Sequence, residues 1–81
     1  MKLAESDKKL ADYRERFDKG KAAKIKPAHI TRIIGKLEKK KEKVTEQRAE
    51  ATRKKEKDRL KKKLLTIDKQ IERAHWLTNN I

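Results

Sequence analysis

Arg53, Lys54, Lys55, Lys57, Arg59, Lys61, Lys62 and Lys63 crowd eight positive charges into eleven residues, diluted only by Glu56 and Asp58, for a local net charge of +6. Lys36, Lys39, Lys40, Lys41 and Lys43 form a second cluster. Ammonium and guanidinium groups at this density repel one another, and a polyanion relieves that repulsion. The commonest polyanion is a phosphate backbone, whose condensed counterions are released as each cation binds. A lysine-rich helix face is also ordinary soluble surface, but the whole chain carries +13, and charge of that size selects partners by sign. The first run is therefore the expected nucleic-acid-binding set, toward RNA or DNA, and the expected function is non-enzymatic. Within it Lys55, Arg59 and Lys62 share a helical face at spacings of four and three. Four simultaneous contacts would give log K a slope of about −3.6 against log salt on B-form DNA, or about −2.8 on a single strand. Reversing Lys8 and Lys9 should matter less, because Asp7 and Asp12 already dilute the charge there.

Sequence-specific readout has no support. No helix-turn-helix, zinc finger or aromatic RNA-binding signature occurs. Tyr13, Phe17 and Trp76 are the only rings, and none lies in the main basic run. Tyr13 and Phe17 read as core, and Trp76, beside Leu77, as a cover for one end of the fold. Single-strand platforms interleave rings with cations, and that pattern is missing.

Glu72 and His75 have the Glu-x-x-His spacing of bundle carboxylate sites, with Asp68 one turn earlier and His29 elsewhere in the chain. A two-metal site needs a second such motif and further carboxylates, so no metal and no cofactor is expected. With no cysteine, no Gly-rich phosphate loop and no clustered Ser, His and Asp, an enzyme is not expected either. Absence of cysteine also fits a reducing compartment. No apolar run approaches the roughly 18–20 residues of a membrane span. The N-terminal Met1-Lys2-Leu3-Ala4-Glu5 leads into charge rather than an apolar segment, so a signal peptide is not expected and the default location is cytoplasmic. Basic amphipathic helices can lie on anionic lipid, but narrow aliphatic stripes suit helix packing better than insertion.

The elements that position these cations follow from two apolar stripes. Ile30, Ile33/Ile34, Leu37, Val44 and Ala51 make the first; Leu60, Leu64, Ile67, Ile71, Ala74 and Ile81 make the second. Both have the heptad-like spacing of a helix burying a narrow seam. In one unbroken helix, the sixteen steps from Val44 to Leu60, about 100° each, leave the stripes roughly 160° apart. A turn near 52–56 resolves the conflict by folding the chain into an antiparallel hairpin whose partners sum to about 108, with Lys41 facing Ile67 and Arg48 facing Leu60. Long basic stems can cover an apolar seam while the charge stays wet. No Gly, Pro or Asn marks the tip, and Thr52 is the available cap for the returning helix. The rival reading is one long helix with two faces for different partners.

Residues 1–20 read as a short amphipathic helix, with Leu3, Leu10 and Phe17 recurring every seven residues and Tyr13 between them. Ser6 or Asp7 would cap it if the first turn frays, and Gly20 suits the left-handed position after its end. Residues 21–26 form a basic linker. Pro27 favours a first helical turn and pushes Lys26 to extended backbone, placing a boundary at 26/27 and the hairpin at 27–81. Gly35, inside the helix, is either tolerated or a point of close approach. The expected architecture is thus all-α: a short N-terminal helix and a long, coiled-coil-like helical hairpin. A two-helix seam is only half covered, so either the N-terminal helix completes a three-helix bundle or a partner helix or second copy does. An alternative function follows from that seam: a structural or adaptor hairpin working through Ile30, Leu37, Leu65 and Leu77.

Overall fold

A computed structural model describes residues 2–81, with every side chain among them except that of Ala22. Met1, part of the expected 1–20 segment, lies outside the described residues. The described residues contain no strand. Helix α1 spans Leu3–Asp18, α2 Pro27–Glu50 and α3 Lys54–Asn80, with a short 3-10 turn at Ala22–Lys24. The molecule is an elongated rod of 48 × 18 × 18 Å. Helices α2 and α3 form the antiparallel hairpin, and α1 packs against α3.

The boundaries follow local chemistry. Pro27 sits in the first turn of α2, and Lys26 before it is extended, at φ −89° and ψ 117°. Gly20 follows α1 with φ 73°, a backbone conformation that disfavours a side chain. A Cβ at Gly35 would meet nothing within 4 Å, so that glycine serves no close helix approach.

The hairpin turn occupies Ala51, Thr52 and Arg53, at the early edge of the expected 52–56. Ala51 and Arg53 are both extended, at φ −68° and −90°, and no non-glycine residue has positive φ. A turn made entirely at negative φ requires no glycine, which explains a tip without turn residues. Thr52 does not cap: Arg53 holds the N-cap position of α3, without a side-chain hydrogen bond. Across the hairpin, Lys41 Nζ reaches Asp68 Oδ1 at 2.8 Å, beside Ile67 and thus at the level the apolar pattern assigns to that lysine. An acidic partner, not only an apolar seam, receives its charge.

The first stripe is buried throughout. The second is rotated: Leu60, Ile67, Gln70, Ala74 and Leu77 are buried, whereas Leu64 and Ile71 are half-buried and Ile81 lies at the margin. The cause is α1, which lies along one flank of the hairpin and covers the Gln70–Leu77 side of α3. Leu10 is fully buried there, and Leu3, Tyr13 and Phe17 pack on the core. Ile25 is also core, at 4% exposure, so the linker is partly an apolar plug.

Ser6 and Gln70 are the polar residues buried in this joint. Ser6 lies within α1, whose N-cap is Lys2, so neither Ser6 nor Asp7 caps the helix. The Ser6 hydroxyl instead donates to Gln70 Oε1, and Gln70 Nε2 donates to the Leu3 carbonyl at 3.2 Å. Beside them Arg73 Nη1 donates to Asp7 Oδ1. At the other end of α1, the Phe17 and Trp76 rings meet edge-on with centroids 5.2 Å apart, and the Arg14 guanidinium lies 3.9 Å over Trp76. Trp76 therefore joins α1 to α3, partly exposed, rather than covering the open end of the seam. Ser6→Ala should lower stability by about 1–3 kcal/mol by stranding Gln70 Oε1. Adding Gln70→Leu should restore part of that loss, a non-additivity that thermal melts of both single variants and the double variant would measure.

Candidate functional site

Helix α1 is shorter than the helices it packs on, and this shapes the molecule's surface. Its N-terminal end stops beside Gln70, so it covers the flank only over the open half of the hairpin. Toward the tip the same flank is bare. There, a groove of about 460 Å³ is lined by Lys36, Lys39, Lys40 and Lys43 of α2 and Lys63 of α3, with Val44 and Gln47 among its other lining residues. No acidic side chain lines it.

The segregation is written into α2 by helical spacing. Lys36, Lys39, Lys40 and Lys43 project to one side, whereas Glu38, Glu42 and Glu46 are centred about 110° away around the helix at 100° per residue. The same arithmetic divides the expected binding run on α3. Lys55, Arg59, Lys62 and Lys63 point toward the groove flank, and Lys54, Lys57 and Lys61 are centred about 150° from them.

The eight expected residues, Arg53, Lys54, Lys55, Lys57, Arg59, Lys61, Lys62 and Lys63, are all exposed, but they do not form one surface. Lys63 joins the lysines of α2. Arg59 lines a separate groove at the tip with Glu50 and Glu56, whose carboxylates offset its charge. Lys57 lines a third, on the other flank, with Thr45, Arg48 and Ala49. The expected second cluster is split as well: Lys41 turns away to Asp68, and its other four members meet Lys63. Their spacing at i, i+3, i+4 and i+7 on α2 was the signal that they share one face.

The histidines and carboxylates do not converge. His29 lies in a groove with Lys9, Arg32 and Lys36, a surrounding of cations, while Glu72 lines a groove between α1 and α3 with Arg14, Arg73 and Trp76. Among the described residues no three His, Cys, Asp or Glu side chains are grouped to hold a metal ion. The Glu15 carboxyl is held below its ordinary range by a hydrogen bond from Lys19 and by that residue's charge, and Lys19 is raised in turn by the same contact. The pair is fully exposed on α1 and lines no groove described here. No helix of the described residues is long and apolar enough to cross a membrane. Of the seam residues an adaptor would use, Ile30, Leu37 and Leu77 are buried within the fold, and Leu65 is 54% exposed.

Comparison with known protein families, curated proteins and solved structures yields no match to this chain.

Proposed function

We propose that this protein binds nucleic-acid phosphate backbones, of RNA or DNA, with little sequence preference, through the lysine groove on the tip half of the hairpin. The observation that supports this reading is the gathering of Lys36, Lys39, Lys40, Lys43 and Lys63 around one open groove free of carboxylates. Five cations from two helices form a concentrated field on a rigid support, and a phosphate backbone lying between them neutralises both walls. Nothing in the groove offers a planar hydrogen-bonding fork or a ring to read a base edge, so the interaction is backbone-directed. The mechanism is electrostatic attraction followed by counterion release.

Fluorescence anisotropy with a labelled duplex DNA at 50 and 200 mM salt tests the reading. Five engaged lysines give a log–log slope near −4.5, an affinity loss of about 500-fold over that interval. Salt-independent binding, or none below about 100 μM, the weak end of ordinary non-specific affinity, would end the proposal.

A further inference from the structure

We infer that the ligand form this surface takes is the duplex rather than the single strand; the inference rests on the phosphate-binding reading above and sharpens it. The basic groove does not stop at Lys36. That residue also lines the groove between α1 and α2, about 230 Å³ in volume, together with Lys9, Arg32 and His29. The two grooves therefore join into one row of cations running along α2, with Lys9 added by α1 and Lys63 by α3.

The row is straight, because α2 is one uninterrupted helix from Pro27 to Glu50. From Arg32 to Lys43 it rises about 16 Å at 1.5 Å per residue. A B-form duplex presents two backbones separated by grooves of about 6 and 12 Å. A stiff row of this length reaches from one backbone to the other across either groove. A single strand offers one backbone of lower charge density, and it must be straightened to follow the row.

Proteins that bind single strands offset that cost by stacking bases on aromatic rings. Here no ring lines the lysine groove. Tyr13 stands at the far end of the row, half-buried, with the Arg16 guanidinium 5.7 Å over its ring. Phe17 and Trp76 are packed against each other at the α1–α3 joint, and the groove lined by Trp76 shares no residue with the row. Charge lies on one surface and the rings on others.

The test is competition of a labelled 16-base-pair duplex with the unlabelled duplex and with each of its separated strands, at 50 mM salt, using the full chain. The duplex should compete about tenfold or more better than either strand, and its slope against log salt should be steeper, about 0.9 against 0.7 per contact. Lys9→Glu should weaken duplex binding by about tenfold and Lys8→Glu by much less, since only Lys9 lines the row. Both positions are exposed, and melting curves would verify that each variant stays folded. A strand that competes as well as the duplex overturns this inference and leaves phosphate binding standing. Equal effects of the Lys8 and Lys9 reversals overturn the extended row on which it depends. Failure of every nucleic acid to bind overturns the functional proposal itself.

Discussion

Reversing Lys39, Lys43 and Lys63 to Glu should lower affinity for duplex DNA by about 10²–10³ at 50 mM salt, whereas reversing Lys54, Lys57 and Lys61 should cost far less. Both triple variants change the net charge from +13 by the same amount, and all six positions are exposed. Only the first three residues line the carboxylate-free groove; Lys57 belongs to the opposite flank. Each phosphate contact contributes about 0.9 to the salt slope, which at 50 mM is worth about one decade of affinity relative to 1 M salt. Removing three contacts therefore gives the stated range, and the measured slope should flatten by about 2.7. The control variant keeps the groove and loses only long-range attraction, which is screened beyond about 10 Å at 0.1 M salt. Anisotropy titrations at two salt concentrations would measure both. Equal losses would mean that total charge, not the groove, governs binding.

Ile67→Ala should be among the most damaging single truncations in the fold. Ile67 is fully buried in the seam between α2 and α3 at the level of the Lys41–Asp68 bridge. Large-to-small substitutions at such sites cost about 2–5 kcal/mol through lost transfer energy and the cavity left behind. That is a large share of the roughly 5–15 kcal/mol that stabilises a typical domain. For a chain of this size each kcal/mol shifts the melting temperature by about 4–8 °C, so a fall of at least about 10 °C is expected. Leu65→Ala on the same helix, at a position 54% exposed, should stay within about 0.5 kcal/mol. Thermal melts followed by circular dichroism give both values. Comparable effects would mean that Leu65, not the seam, is covered in solution.

Much of the architecture is legible from the chain because it is set within single helices. The phase jump between the stripes requires a turn, Pro27 begins α2 and Gly20 closes α1. Each rests on a period of 3.6 residues or on a backbone preference belonging to one residue. The separation of lysine from glutamate on α2 has the same origin, since helical spacing alone fixes which side chains share a side.

The tertiary structure decided what depends on adjacency between helices. A count of charges along the chain marks Arg53–Lys63 as the densest run, yet helical geometry divides that run between flanks, and the hairpin delivers Lys63 to the lysines of α2. Where α1 docks is equally a long-range matter. Its position buries Gln70 and Leu77, draws Ser6 out of a capping role, makes Ile25 core and leaves the lysine groove open beyond its N-terminal end. Sequence spacing fixes the angle of a residue around its own axis. Which angles face each other, and which stay uncovered, is set by the turn at Ala51–Arg53 and by the packing of a third helix too short to cover the whole flank.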